Sequence, residues 1–276
     1  MTDPKNVAHH YHSGHLLQRI SDACKALDLT PPIPPGVLAP VDEFHIGGRL
    51  ATQPFIEALG LTAESRVVDL GCGLGGPARY VAATTGAQVT GVDLTAEFVE
   101  TGRVLTEWTG LSDRVTLVEG SVLDLPLESG SMDAAYMIHV GMNIADKDGM
   151  AREARRVLKP GGIFAIYDVM QVGEGRMDYP APWASSPDQS ALASPEVYET
   201  ALTAAGFKLT ERIDRTGFAR QFFADLAAAQ SRAGGPPPLG LHLVMGDNTA
   251  LKVQHMVRNI AGGLIAPNEM HARLTS

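Results

Sequence analysis

The stretch Arg66 to Thr95, RVVDLGCGLGGPARYVAATTGAQVTGVDLT, constrains the fold of this chain more than any other. Val67, Val68 and Leu70 form a short apolar run that stops at Gly71, as a strand buried on both faces does. Gly71, Gly73, Gly75 and Gly76 follow. Lacking Cβ atoms, they let the backbone turn tightly and approach a ligand closely. Pro77 suits the first turn of a helix, with Ala78 to Ala83 as its body. Gln88 to Val92 reads as the next strand. Asp93 stands at its C-terminal end, where a carboxylate can take the two hydroxyls of a ribose.

The spacing Gly71-x-Gly73-x-x-Gly76, with Asp93 downstream, matches a dinucleotide-binding fingerprint. An NAD-dependent oxidoreductase is therefore one reading. Asp69 argues against it. This acid lies two residues before the first glycine, at the strand tip, where it would repel a pyrophosphate. A cationic ligand is favoured there, and S-adenosylmethionine carries both an ammonium and a sulfonium.

The rest of the chain extends the same alternation. A helix is expected over residues 6–28, with Leu16, Leu17, Ile20, Cys24 and Leu27 on one face. Residues 30–40, TPPIPPGVLAP, read as a stiff proline-rich connector. Leu50 to Leu59 reads as a helix leading into the first strand. After Asp93 come a helix from Ala96 to Gly110, a strand from Val115 to Glu119 and a loop from Gly120 to Pro126. A fourth strand, Ala134 to Ile138, carries His139 at its tip. A helix over 147–158 ends in Leu158-Lys159-Pro160-Gly161-Gly162, which reads as a stop and turn. Ile163 to Tyr167 is a fifth strand. Ser194 is a cap candidate for a helix ending at Gly206, Phe207 to Ile213 a sixth strand, and Glu269 to Leu274 a last one. Helices are expected over 218–232 and 248–260. The segments 169–195 and 216–262 are too long for plain connections and read as lid or pocket walls.

Composition limits the partners. The chain has 276 residues, 45% hydrophobic and 19% charged, with a net charge of −9. Such a balance argues against nucleic acid or an anionic membrane surface, because both are bound by neutralising phosphates. No apolar stretch approaches the roughly 20 residues that span a bilayer. A small-molecule substrate is the expected partner, with a homodimer as the assembly to test and a cytoplasmic location. The two cysteines, Cys24 and Cys72, are expected to be free thiols. His9, His10, His12 and His15 crowd the N-terminus without an acid or cysteine at ligand spacing, so no metal is expected.

The motifs VVDLGCGLGG (67–76), VTGVDLT (89–95), EGSVLDLPLESGSMD (119–133) and RVLKPGG (156–162), in this order, resemble the class I S-adenosylmethionine-dependent methyltransferases. GSVLDLP, the tip of the fourth strand and HIGGRLAT give a narrower likeness to small-molecule N-methyltransferases of the sarcosine/dimethylglycine and phosphoethanolamine type. The resemblance implies an α/β fold: a doubly wound seven-stranded sheet, mostly parallel with an antiparallel last strand, plus N-terminal helices and a helical lid. Residues 1–60 would cover the cofactor site, and 61–276 would form the Rossmann-like domain.

The resemblance also implies residue roles. Asp69 would hold the methionine end of S-adenosylmethionine, and the backbone at Gly71 and Gly73 would lie against its methionyl and ribose part. Asp93 would take the ribose hydroxyls and Leu94 would pack on the adenine, beside Ser121 and Val122. Asp124 is a candidate for the adenine amine. The Ile138 carbonyl would meet the ammonium. His45 matches a position at the cofactor's carboxylate end, and Tyr11 could close over a ligand. In the phosphoethanolamine enzymes a histidine beyond the fourth strand assists the amine; Asn143 stands there in this chain and cannot act as a base. His139 stands where relatives often have an acid, and an imidazole suits proton transfer near neutral pH. His139 and Asn143 are thus the catalytic candidates, with Tyr11, His45 and His139 facing the acceptor. The implied activity is methyl transfer to a small molecule, an amine first, with O- or C-methylation using His139 as base as the alternative.

Overall fold

The computed structural model describes residues 11, 14–233 and 235–275. Seven strands form one sheet in the order β3-β2-β1-β4-β5-β7-β6. They are β1 (Arg66–Leu70), β2 (Gln88–Asp93), β3 (Val115–Glu119), β4 (Met132–Ile138), β5 (Leu158–Gln171), β6 (Phe207–Asp214) and β7 (Ile265–Leu274). β1 pairs parallel with both β2 and β4, while β7 lies antiparallel between β5 and β6. This is the fold class expected from the sequence. Chain order runs outward in both directions from β1 and β4, so their C-terminal ends flank a crevice at the switch point, where open α/β sheets bind ligands.

Helices cover both faces. They are α1 (Leu16–Ala26), α2 (Pro35–Asp42), α3 (Arg49–Glu57), α4 (Gly76–Thr85), α5 (Ala96–Trp108), α6 (Lys147–Val157), α7 (Pro195–Ala204), α8 (Thr216–Ala233), α9 (His242–Met245) and α10 (Thr249–Ala261). Alternate residues of β1 point to opposite sides. Val68 and Leu70 join a core with Met137, Met150, Ala154 and Tyr198. Val67 joins the other, with Phe55, Val81, Val89 and Tyr136.

Some expectations are corrected. α1 starts only at Leu16, because Gly14 takes φ +78° and His15 precedes the first turn. Leu27 falls past its end and is 41% exposed, off the packed face of Leu16, Ile20 and Cys24. His9, His10 and His12 lie outside the described residues. The expected connector 30–40 is partly helical: Pro35 opens α2, where its fixed φ and missing N–H cost nothing. LKPGG is no free turn but the entry to β5, with Leu158 paired to Met132 across an irregularity in register. Ser194 precedes α7 without a side-chain cap bond. The last strand begins at Ile265 rather than Glu269.

Among the described residues no helix is long and apolar enough to cross a membrane. Cys24 and Cys72 are buried free thiols.

Candidate active site

At the C-terminal ends of β1, β2 and β4 the chain encloses a cavity of about 1390 Å³. Every site residue expected from the block of motifs lies on its wall: Tyr11, His45, Asp69, Gly71, Gly73, Asp93, Leu94, Ser121, Val122, Ile138, His139 and Asn143. Asp124 does not. It is exposed, and its amide donates to the Ser121 carbonyl at 3.1 Å, which closes a turn that points the side chain away. The Ser121 hydroxyl is engaged in that turn too, accepting from the Leu123 amide at 3.1 Å.

Two acids occupy the inner end. Asp69 is 2% exposed and accepts a hydrogen bond from the Tyr136 hydroxyl at 3.0 Å. Burial pushes its pKa up to about 8; the Tyr136 bond opposes this and the nearby Asp93 adds to it. Asp93 Oδ2 accepts from the Gly73 amide and Oδ1 from the Thr95 amide, both at 2.9 Å. Burial raises this carboxyl as well, against those backbone bonds. The Gly71 amide donates to the Val92 carbonyl at 2.7 Å. The amides of Gly71 and Gly73 therefore fasten the loop to β2. Glycine is required at 71 because a Cβ there would lie 2.4 Å from a Val140 methyl. At Gly73 a Cβ would meet nothing within 4 Å, so the loop leaves space on that side.

The imidazole end is built from three aromatic side chains. His139 follows β4 with φ +54°, a left-handed conformation uncommon for a side chain with a Cβ. Its amide donates to the Tyr167 carbonyl at 2.7 Å, which holds it there. Its Nε2 is buried and has no hydrogen-bond partner among the described residues. Burial, and the neighbouring His45, keep its pKa well below the usual histidine value. Its ring centre lies 5.9 Å from that of His45 and 5.0 Å from that of Tyr167. His45 Nε2 sits 3.0 Å from both the Gly48 carbonyl and the Thr52 hydroxyl, and burial lowers its pKa to about 4. Both imidazoles are neutral at pH 7. Asn143 Nδ2 donates to the Tyr11 hydroxyl at 3.1 Å. Tyr11 lines the cavity and also packs, 5.5 Å from Phe98 and 6.3 Å from Phe44 between ring centres.

The segment 42–52 is locked over the glycine loop. Arg79 Nη2 pairs with Asp42 Oδ2 at 2.6 Å, both side chains buried. A Cβ on Gly76 would strike the Asp42 carbonyl at 2.3 Å, so glycine permits this docking. Arg49 pairs with Glu43 and stacks 4.4 Å over the Tyr80 ring. Among the described wall residues it is the only lysine or arginine.

The 169–195 and 216–262 segments bring a mainly apolar stretch to the wall, with Gln230, His242, Asp247 and Thr249 as its polar members. Pro182 and Trp183 come from the 169–195 segment, and Phe222, Phe223, Leu226, Val253 and Met256 from 216–262. Trp183 is fixed by its indole N–H donating to Ser190 Oγ at 2.9 Å. His242 is on the wall, whereas His255 is off it, with Nδ1 against the Pro180 carbonyl at 3.0 Å. Sequence reasoning missed Tyr136. The signal was the register of β4, which sets Tyr136 opposite Asp69. Among the described residues no group of three or more His, Cys, Asp or Glu is placed to hold a metal.

Residues 68–166 match the family model described as a methyltransferase domain. A sterol 24-C-methyltransferase from Gibberella zeae is 40% identical over 110 residues, 40% of this chain and 29% of that enzyme. The match thus spans less than a third of the curated relative's length. Among solved structures, phosphoethanolamine N-methyltransferase 2 of Haemonchus contortus, in complex with S-adenosyl-L-methionine, is 20% identical with a TM-score of 0.73 over 85% of this chain and 54% of that one. Geranyl diphosphate C-methyltransferase of Streptomyces coelicolor, in complex with S-adenosyl-L-homocysteine, is 18% identical with a TM-score of 0.70 over 98% and 97%. Carbon- and nitrogen-methylating proteins both appear, so the matches carry the class and not the narrower N-methyltransferase likeness. Residues 68–166 thus match a methyltransferase domain, and the sheet around them has the fold of class I methyltransferases.

Proposed function

We propose that this protein transfers a methyl group from S-adenosylmethionine to carbon in a bulky, largely apolar small molecule. The residues present suit the cofactor. Asp93 stands beside Leu94 at the end of β2, Asp69 offers a buried carboxyl at the inner end, and Gly73 leaves space where a side chain would stand. When bound, the cofactor supplies an electrophilic methyl group. Asp69 and Asp93 then face its cationic and ribose parts, and the lid side of the wall excludes water.

The acceptor class follows from size and basicity. A cavity of about 1390 Å³ exceeds the ~300–1,000 Å³ of most small-molecule sites. Room therefore remains for a large second ligand beside the cofactor. Trp183, Phe222, Phe223 and Met256 give that ligand an apolar bed, and the one wall arginine is already paired to Glu43. A diphosphate or other polyanion would find a single cation among the described wall residues, Arg49, whose Nε is already paired to Glu43.

The observation that carries the carbon assignment is His139. An alkylammonium has a pKa of about 10.4 and a phenol about 10, while His139 sits below the ordinary ~6.5. Taking a proton from either before the methyl arrives would be uphill by more than the ~4 units that separate both from an ordinary imidazole. A carbon centre made strongly acidic by methyl addition has no such mismatch, and His139 can accept its proton at Nε2, which no described residue engages. An amine acceptor would have to arrive already neutral.

The test is an assay with methyl-labelled S-adenosylmethionine and a panel of terpenoid and polyketide alkenes and enols, phenols and alkylamines, read by mass spectrometry. Label in carbon-methylated products is expected. Label confined to amine products would overturn the carbon assignment. Binding of S-adenosylmethionine with no labelled product from any class, using extracts as well as the panel, would point to a cofactor-binding role without methyl transfer.

A further inference from the structure

A charged cluster lies behind the 139–143 turn; its three side chains are off the cavity wall, although one of them bonds the carbonyl of Ile144, which is on it. Lys147, the first residue of α6, is 5% exposed. Its ammonium donates to the Gly141 carbonyl at 3.0 Å, to the Ala191 carbonyl at 2.8 Å and to the Ile144 carbonyl. It also lies 5.1 Å above the Tyr198 ring. Asp168, in β5, is fully buried. It accepts from the Tyr198 hydroxyl at 2.7 Å and from the Val169 amide at 2.9 Å, and the backbone of Gly141 lies against it.

Lys147 thus holds the carbonyl of Gly141, while Asp168 and the Tyr198 hydroxyl close against its α-carbon. Gly141 is two positions from both His139 and Asn143. Glycine is demanded there, because a Cβ would lie 2.2 Å from Asp168 Oδ2 and 2.3 Å from the Tyr198 hydroxyl. Burying two charges costs several kcal/mol of desolvation for each ion, so apolar side chains of similar volume would often serve stability as well. The turn they hold, however, is strained: His139 keeps φ +54°. Such conformations persist only where the surroundings over-determine them.

We propose that Lys147, Asp168 and Tyr198 are positioning residues that clamp the 139–143 turn through Gly141 and so fix the His139 ring against His45 and Tyr167. None of the three reaches the cavity; they act through the backbone. The consequence for catalysis rests on the role given to His139 above, but the clamp itself is read from the ring.

The experiment is a carbon–proton correlation spectrum of the histidine rings, with the His139 signal assigned by its loss in His139→Gln. Tyr198→Phe removes one hydroxyl and Lys147→Met keeps the side-chain length without the charge. In both, the His139 signal is expected to move and its titration midpoint to rise towards the ordinary ~6.5 as the ring gains water. His255, held elsewhere, keeps its signal. Val115→Ala, at the far edge of the sheet, destabilises the fold without moving His139. Unchanged His139 shifts and titration in Tyr198→Phe and Lys147→Met would overturn the clamp. Where Lys147→Met does not fold, Tyr198→Phe alone decides. The same spectra with S-adenosylhomocysteine separate the two ideas: no response to it in the wild type sinks the cofactor reading and leaves the clamp standing.

Discussion

Asp69→Asn should make the empty protein more stable and the cofactor complex weaker. Burial raises the Asp69 pKa from 3.8 to about 8. In the unfolded chain at pH 7 this carboxyl is ionised; in the folded one it is mostly protonated. Each unit between the two states is worth ~1.36 kcal/mol. From 3.8 to pH 7 the penalty on folding amounts to about 4 kcal/mol. An asparagine carries no such penalty, and its carbonyl can still accept the Tyr136 hydroxyl.

The sign fixes the pH window. A carboxyl whose folded pKa is raised costs nothing below its unfolded value. The cost grows as pH rises from 3.8 and levels off above about 8. Melting curves without cofactor at pH 5, 6, 7 and 8 should therefore show a gap between variant and wild type that widens with pH. At pH 7 the gap should be of order 10 °C, since 1 kcal/mol moves a chain of this size by about 2–4 °C. Calorimetry with S-adenosylmethionine should show the reverse ranking. Losing a charged partner worth ~1.5–3 kcal/mol weakens binding roughly 10- to 150-fold. A variant less stable than wild type at pH 7, or a gap that ignores pH, would refute the argument.

The same carboxyl should lose its proton when a cation binds beside it. Binding enthalpies for S-adenosylmethionine in phosphate and in Tris at pH 7 should differ by about 0.9 of the difference between the two buffers' ionisation enthalpies, the proton count for a group with pKa near 8; equal enthalpies count against it. Gly71→Ala puts a Cβ 2.4 Å from Val140 at φ +77°, and a loss of about 2 kcal/mol or more in urea unfolding is expected from overpacking plus strain. At position 139, His139→Gly should unfold about 1 kcal/mol harder than His139→Ala, because only alanine carries a Cβ into φ +54°. Equal stabilities would mean the turn relaxes once the imidazole is gone.

The parts legible in the sequence are those that one stretch of chain encodes by itself. The glycine loop, Asp69 and Asp93 lie within 25 residues of one another, and a strand–turn–helix–strand pattern places them before any long-range contact is known. LKPGG shows the limit of such reading. Its composition is that of a turn, yet Leu158 joins β5 because Met132 is available across the sheet. The proline-rich stretch before residue 42 fails for a related reason. Pro35 can open a helix as well as stiffen a linker, and packing on the glycine loop decides. Asp168, Lys147 and Tyr198 carry no local pattern at all. They meet because β5, α6 and α7 stack against the same glycine.

The acceptor side was hidden for a further reason, and it changes the chemistry. His139 is easily found at the end of β4, and its ordinary pKa suggests a base for any acceptor, including an amine. Its basicity, however, is a property of its surroundings: burial and a second imidazole with its centre 5.9 Å away lower it, and the proposed clamp on Gly141 keeps the ring there. Those neighbours come from residues 45, 141, 147, 167, 168 and 198, which no periodicity links. Once they are in place, the ring is too weak a base for an ammonium and remains neutral across the physiological range. A weak, always-neutral acceptor beside an apolar bed suits a proton that becomes acidic only after the methyl has been added. On the proposed carbon-methylating role, the substrate preference would be set as much by the groups that hold His139 as by those that touch the substrate.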